Sequence, residues 1–154
     1  MGISNQVTIL TTNQNRPSEL ARSLANWQLL EDVAEIVVVD WSSEPAIQLE
    51  VSRDGWTNGA IPRVVRVDGE DRWSASRALN FGLRFVQTPI VLKLDAEITV
   101  RPDFLQLHPL ERGEFWSGNW KTAFPWNKSI HGSCLGWVDD FEAIGGWDPR
   151  IEGY

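Results

Sequence analysis

The sequence has few of the residues that build disulfide frameworks. It contains one cysteine, Cys134, and two histidines in 154 residues. A single cysteine excludes an intramolecular disulfide network, and we interpret Cys134 as a small buried hydrophobe rather than a nucleophile. With 42% hydrophobic residues, the chain is long enough to form one domain around a core that needs no covalent cross-link.

Positive charge and long apolar runs are also scarce. Fourteen Lys and Arg stand against 21 Asp and Glu, so the net charge is −7. Because nucleic-acid binders normally carry a basic face, we expect no nucleic-acid partner. No run approaches the roughly 20 apolar residues of a membrane span, and the amino terminus lacks the basic and long apolar regions of a signal peptide. The sequence therefore predicts a cytoplasmic protein without a membrane span.

Tryptophan, by contrast, is abundant. Nine Trp and six Phe need an apolar environment, which argues against a disordered chain. Indole faces also stack on the flat C–H surfaces of sugars, although burial in the core is the commoner role of any single Trp.

Hydrophobic patterning predicts an α/β fold. Apolar, β-branched runs predict strands at residues 7–12, 35–40, 63–67 and 90–94. Helical spacing predicts helices at residues 17–30, 74–87 and 102–107. Strands that alternate with helices favour a mostly parallel sheet flanked by helices. Residues 46–51 fit a strand or a helical turn, residues 54–59 a loop, and the Trp- and Gly-rich remainder gives little signal.

Polar side chains follow three of the predicted strands. Since the carboxyl ends of parallel strands meet at one edge of a sheet, where ligands bind, we expect a ligand site there. The residues concerned are Thr11, Thr12 and Asn13 after the first strand, Asp40, Ser42 and Ser43 after the second, and Asp95, Ala96 and Glu97 after the fourth.

Several of these polar residues have two interpretations from the sequence alone. Asp95 and Glu97, two apart in an extended segment, could share one Mg²⁺ or Mn²⁺ ion, or form a solvated acidic turn. Asp40 could cap a turn or accept hydrogen bonds from a nucleoside. Arg77 and Asn80 could contact a ligand or lie on a solvated helix face. His131 is a weaker candidate for a metal ligand.

Five segments in this order resemble the inverting, nucleotide-sugar-dependent glycosyltransferases of the GT-A fold. The likeness is to family 2 and its chondroitin-polymerase-like and N-terminal galactosyltransferase-like relatives. It covers nearly the whole chain. The segments are VTILTTNQNRP (7–17), EIVVVDWSS (35–43), WSASRALNFG (73–82), LKLDAE (92–97) with PDFL (102–105), and FEAIGGWDPRIEGY (141–154).

The resemblance implies one GT-A-like domain that binds a nucleotide-diphospho-sugar, a UDP-sugar first of all, with Mn²⁺ or Mg²⁺. Residues 1–97 would form its nucleotide-binding part and residues 98–154 the start of its acceptor-side part. The implied nucleotide-binding residues are Thr11, Thr12, Asn13, Arg16, Asp40, Ser42, Arg77, Asn80, Asp95 and Ala96. The implied metal ligands are Asp95 and Glu97, with His131 as a further candidate. Gly145, Gly146, Trp147 and Asp148 would border the acceptor, a glycan or another hydroxyl compound.

Two departures from the family pattern bear on activity. Glu97 stands where the family usually has Asp, so its carboxylate is displaced by one methylene group. The family's general base belongs to a later Gly-x-Glu-Asp motif, which we expect beyond Tyr154. Two functions therefore remain: an inverting glycosyltransferase, or a non-catalytic or truncated nucleotide- or sugar-binding module of the same fold. A dinucleotide-binding fold is disfavoured because no G-x-G-x-x-G follows the first predicted strand. A homodimer that covers an exposed sheet face is a further expectation.

Overall fold

A computed structural model describes residues 6–49 and 59–152. The order of the described elements up to residue 93 is the one that the sequence predicts. They are β1 (Val7–Asn13), α1 (Pro17–Trp27), β2 (Val33–Trp41), β3 (Pro62–Val67), α2 (Ala75–Leu83), β4 (Ile90–Lys93), α3 (Phe104–Leu107), β5 (Trp116–Ser117), a 3-10 segment (Pro125–Gly132), β6 (Cys134–Trp137) and α4 (Val138–Ala143).

The six strands form one sheet in the order β3-β2-β1-β4-β6-β5. β1 to β4 are parallel, whereas β6 runs antiparallel to β4 and β5 antiparallel to β6. The prediction of a mostly parallel sheet flanked by helices is therefore confirmed. β2 and β3 lie on one side of β1 and β4 lies on the other. The strand order thus reverses between β1 and β4, which is where sheets of this kind bind ligands.

Alternate residues of the central strands build two apolar layers, because side chains of a strand point to opposite faces. On one face, Val7 and Ile9 of β1 pack in a cluster with Leu20, Leu24 and Trp27 of α1. On the other, Leu10 and Val37 join a cluster that includes Ala78, Leu79 and Leu83 of α2. The near-continuous apolar runs of β1 and β2 reflect this burial on both faces.

Helix α2 lies unusually close to the sheet. Its N-cap is Ser74, whose hydroxyl accepts a hydrogen bond from the Arg77 backbone N–H. A Cβ atom at Gly82 would lie 2.5 Å from the Cγ2 atom of Val39 and 2.6 Å from the Cδ1 atom of Leu10. Glycine at position 82 therefore sets the spacing between this helix and the sheet.

The structure differs from the sequence prediction mainly after residue 107. β5, β6, α4 and the 3-10 segment, of two to eight residues, were not predicted, since the sequence there has no continuous apolar run and no helical stripe. Helices α1 and α2 are also shorter than expected. Residues 46–49 have neither helix nor strand, and residues 50–58 of the predicted turn and loop lie outside the described residues. Cys134 is buried, as expected. Within the described ranges, no helix has the length and apolarity that a membrane crossing requires.

Candidate functional site

An ion pair joins the loops that follow β1 and β4, where the strand order reverses; we call this position the crevice between β1 and β4. Arg16 Nη1 lies 3.3 Å from Glu97 Oε2, and both side chains are partly exposed. Arg16 also lies 3.6 Å from Glu19. The structure therefore brings two predicted site residues together at the reversal of the strand order.

Asp95, the other carboxylate of the acidic pair, contacts a lysine. Lys93 Nζ lies 2.5 Å from Asp95 Oδ1 and donates a second hydrogen bond, of 2.7 Å, to the carbonyl oxygen of Gly132. The expectation of an extended Asp95–Glu97 segment is wrong, because β4 ends at Lys93 and a turn follows, closed by the Ile98 N–H on the Asp95 carbonyl.

The chain just before β6 closes over Asp95. A Cβ atom at Gly132 would lie 2.6 Å from Asp95 Oδ2, so a side chain at position 132 would displace the Asp95 carboxylate. His131, the weaker metal candidate, precedes Gly132 and is exposed. Among the described residues, no group of three or more His, Cys, Asp or Glu is arranged to hold a metal ion.

The loop after β1 is held by two asparagine side chains. Asn13 donates to the Arg16 carbonyl at 2.8 Å and accepts from the Arg16 N–H at 3.0 Å. Asn15, in the left-handed region at φ 56°, donates its N–H to Ser43 Oγ and accepts from the Glu44 N–H. The β1 loop is thus bonded to the β2 loop.

Asp40 is completely buried below the β2 loop. Its carboxylate accepts hydrogen bonds from the N–H groups of Ser43 and Ile47 and from Arg66. Burial raises the pKa of this carboxyl, but these hydrogen bonds outweigh the effect and hold the pKa below its ordinary value. Asp40 therefore takes the turn-capping role, and its contact with a nucleoside remains a prediction.

Ser42 and Arg77 continue the row of bonds toward β3. Ser42, also at φ 56°, donates to the Val67 carbonyl and accepts from the Glu70 N–H. Arg77 binds the Glu70 carboxylate through two nitrogens, at 3.0 and 2.6 Å, and its guanidinium lies 5.3 Å from the centre of the Trp41 ring. An open cavity of about 480 Å³ adjoins this arginine, lined by residues 69–74 and Glu152.

Asn80 joins the predicted nucleotide-binding helix to the predicted acceptor-side segment. Its amide donates to the Trp147 carbonyl at 2.7 Å and accepts from the Trp147 N–H at 2.8 Å. Trp147 is half-buried and stacks on Phe141, with ring centres 4.7 Å apart. Gly146 has φ +76°, and a Cβ atom there would lie 2.3 Å from Asn80 Oδ1. Asp148 pairs with Arg150.

The remaining predicted residues lie deeper. Thr11 is completely buried, and its hydroxyl oxygen has no hydrogen-bond partner within the described part of the chain. Thr12 is also buried. Ala96 packs in the apolar core on the α1 side, and its carbonyl accepts a hydrogen bond from Ser23.

Comparison with solved structures gives the fold its name. A mannosyltransferase from Pyrobaculum calidifontis, solved with GDP-mannose and Mn²⁺, superposes with a TM-score of 0.69 at 17% identity, over 96% of this chain and 49% of its own. S. aureus TarS 1-349 with UDP superposes with a TM-score of 0.61 at 11% identity, over 94% of this chain and 50% of its own. Glucosyl-3-phosphoglycerate synthase from Mycobacterium tuberculosis with UDP superposes with a TM-score of 0.53 at 17% identity, over 88% of this chain and 57% of its own.

This chain has the GT-A glycosyltransferase fold. It spans about half the length of the solved structures named above. No protein-family model matches the sequence, and no curated protein does. The fold predicted from the five sequence segments is thereby confirmed.

The acidic pair of this GT-A chain has the donor atoms that a hard divalent cation prefers. Such an ion is usually held by one or two carboxylates, with substrate phosphates and water completing its shell. Asp95 and Glu97 supply two carboxylates on the loop after β4, beside the crevice. The residues therefore fit a metal whose remaining ligands come from a bound diphosphate.

Two features of the GT-A chain were missed from the sequence. Lys93 was read only as part of an apolar strand, although a lysine within IVLKL is itself a signal. Phe124 and Trp126 stack with ring centres 4.8 Å apart and are 66% and 74% exposed. Asn127, next to Trp126, donates to the Thr99 carbonyl, which places this aromatic pair beside the loop that carries the acidic pair.

Proposed function

We propose that the chain binds a nucleoside-diphosphate sugar together with a divalent metal at the crevice between β1 and β4. The observation that carries the proposal is the cluster of Asp95, Glu97, Arg16 and Lys93 at the reversal of the strand order. Structures of the same fold that contain UDP, or GDP-mannose with Mn²⁺, support it. UDP-sugars are the first donors to test, followed by GDP-sugars.

In this proposal, Asp95 and Glu97 hold Mn²⁺ or Mg²⁺. Such an ion stabilises the negative charge that develops on a departing nucleoside diphosphate. Arg16 lies within reach of the same phosphates because it already contacts Glu97. The nucleoside would lie against the accessible side chains of Ser42, Arg77 and Asn80. The buried residues Thr11, Thr12, Asn13, Asp40 and Ala96 would support this surface from below.

The acceptor would approach from the segment Gly145, Gly146, Trp147 and Asp148. Asn80 fixes this segment to α2, so the donor and acceptor sides are attached to one helix. A glycan or other hydroxyl compound is the proposed acceptor, and transfer with inversion the proposed reaction. We assign the general base to no carboxylate of the described residues. The cytoplasmic location stays a prediction.

A binding test decides whether the crevice is the donor site. UDP with Mn²⁺ should raise the melting temperature of the chain, and Asp95→Asn should abolish this shift because one of the two metal-binding carboxylates is lost. Asp139→Asn is the matched control. Asp139 pairs with Arg112 and lies in α4, directly after β6. The last residue of β6, Trp137, is opposite Ile90 at the start of β4, whereas the acidic pair follows the end of β4. A shift that persists in Asp95→Asn would contradict the site assignment.

The second candidate is a module of the same fold that binds nucleotide or sugar without transfer. The observation that favours it is that both carboxylates of the acidic pair are already ion-paired within the chain. Transfer and hydrolysis assays with a panel of UDP- and GDP-sugars separate the two functions. Turnover by the 154-residue chain, lost in Asp95→Asn, would eliminate the binding module.

A further inference from the structure

We propose that Lys93 is a built-in counter-cation that makes the divalent metal bind together with the donor diphosphate rather than alone. This inference rests on the proposed function, because it concerns the same crevice. It assigns a positioning and charge-balancing role to a residue that neither the sequence motifs nor the fold identifies.

The ammonium group of Lys93 is fixed in place. Only 8% of its side chain is exposed, and it follows three buried apolar residues of β4. A buried ammonium group must be paired and hydrogen-bonded, because its transfer from water is costly. Asp95 Oδ1 and the Gly132 carbonyl oxygen meet this need at 2.5 and 2.7 Å. Lys93 therefore stays beside Asp95 when a ligand arrives.

The second carboxylate has a more mobile partner. Arg16 and Glu97 are 49% and 32% exposed, and 3.3 Å separates their closest atoms. Exposed ion pairs of this kind contribute little stability. Arg16 can therefore leave Glu97 for a phosphate at small cost, whereas Lys93 cannot leave Asp95.

The charges of Lys93, Asp95, Arg16 and Glu97 cancel, and Glu19, 3.6 Å from Arg16, adds one negative charge beside them. A divalent cation that enters alone meets two neutralised carboxylates and the fixed charge of Lys93, and so gains little. A diphosphate that enters alone meets two cations that are already paired with carboxylates, and so it too gains little. When both enter, the phosphate charge is balanced by the metal, Lys93 and the released Arg16. Each ligand thus raises the affinity of the other, by the same factor.

The test measures Mn²⁺ binding to the 154-residue chain by electron paramagnetic resonance, with and without UDP. In the unsubstituted chain, UDP should raise the Mn²⁺ affinity at least tenfold. Lys93→Met removes the charge while keeping a long unbranched side chain. It should raise the Mn²⁺ affinity without UDP about tenfold, the scale of a unit charge a few ångströms from a divalent ion in a hydrated site, and reduce the enhancement by UDP.

Two further variants keep the result interpretable. Arg63→Met makes the same change in net charge at an ion pair with Glu35, at the start of β3, and should leave Mn²⁺ binding unchanged. Lys93→Gln also removes the charge but retains an N–H donor for the Gly132 carbonyl. It replaces Lys93→Met if circular dichroism shows that Lys93→Met does not fold, and the same changes in Mn²⁺ affinity are expected.

The inference is overturned if removal of the Lys93 charge leaves the Mn²⁺ affinity unchanged or lowers it, or if Arg63→Met raises the affinity as much. Equal Mn²⁺ affinity with and without UDP, in a chain that binds UDP, also overturns it. If the unsubstituted chain does not bind UDP even with Mn²⁺, the proposed function fails, while the comparison of variants with Mn²⁺ alone still decides the role of Lys93.

Discussion

Several polar side chains at the carboxyl ends of the parallel strands are hydrogen-bonded within their own loop or to a neighbouring loop. Asn13 closes its own turn, Asn15 binds the loop after β2, and Ser42 binds the loop after β3. Buried polar groups need such partners, because an unpaired one costs free energy. The same side chains that the sequence marks as ligand contacts therefore have a second, structural task.

Asp40 gives a prediction at the scale of one residue. Its pKa is lowered from 3.8 in the folded chain, so its carboxylate adds stability that is fully present above pH 3.8 and is lost as the pH falls through the folded pKa. Asp40→Asn should lower the free energy of unfolding at pH 7 by about 2 kcal/mol, since it weakens buried hydrogen bonds. Urea denaturation followed by Trp fluorescence measures it.

The difference between Asp40→Asn and the unsubstituted chain should shrink as the pH falls below 3.8, because the unfolded chain then binds a proton that the folded chain does not. Asp139→Asn, in an exposed pair, should leave stability at pH 7 unchanged. A difference for Asp40→Asn that is absent at pH 7, or grows toward pH 3, would contradict the assigned role.

At the scale of elements, the two hydrogen bonds between the Asn80 amide and the Trp147 backbone, which we call the Asn80 clasp, connect α2 to the loop after α4. The backbone of Trp147 bonds to Asn80 in the way that one strand bonds to another. This fit requires Gly146, whose positive φ and close approach exclude a side chain. The helix motif and the Gly-Gly-Trp motif are therefore two halves of one contact.

Substitution of the two adjacent glycines separates strain from steric exclusion. Gly145 and Gly146 both have positive φ, but only at Gly146 does a Cβ atom meet another group. Gly145→Ala should cost roughly 1 kcal/mol of stability through backbone strain alone. Gly146→Ala should cost about 2 kcal/mol more, because it also displaces the Asn80 amide. Thermal unfolding compares the two variants, and equal losses would contradict the clasp.

The sequence predicted best the elements that have a continuous apolar run or a helical apolar stripe. The apolar runs of β1, β2 and β4 and the stripe of α2 were located to within a few residues, since burial on both faces leaves a continuous signal. β5 and β6 pair only through partners distant in the chain, and their two and four residues carry no period of their own. At the site, the crevice was predicted from strand ends, whereas the Lys93 contact depends on tertiary packing.

At the scale of the whole molecule, aromatic exposure is unevenly distributed. Trp27 and Trp41 are buried, but a stretch of twelve residues, 115–126, carries five aromatic side chains that are 42–74% exposed. They are Phe115, Trp116, Trp120, Phe124 and Trp126. Clustered exposed apolar side chains commonly mark a surface that another molecule covers.

This aromatic stretch gives the homodimer expected from the sequence a surface that substitutions can test. Light scattering at high micromolar concentration should give about twice the monomer mass, and Phe124→Ser with Trp126→Ser should return the monomer because the buried apolar area is lost. Leu29→Ser with Ile61→Ser, at exposed apolar positions elsewhere, is the matched control and should remain dimeric. A monomeric unsubstituted chain at that concentration would remove the homodimer.

The hydrogen bonds between the loops at the carboxyl ends of β1, β2 and β3 affect the conformational entropy that nucleotide binding would cost. Asn15, Ser43, Ser42 and Glu70 connect three successive loops through the chain's own hydrogen bonds. A rim that is already ordered loses little conformational entropy when a nucleotide arrives, so less of the contact energy is offset by ordering of the chain. Affinity at this edge would then depend on the contacts formed and the water displaced, rather than on a loop that must first fold around the donor.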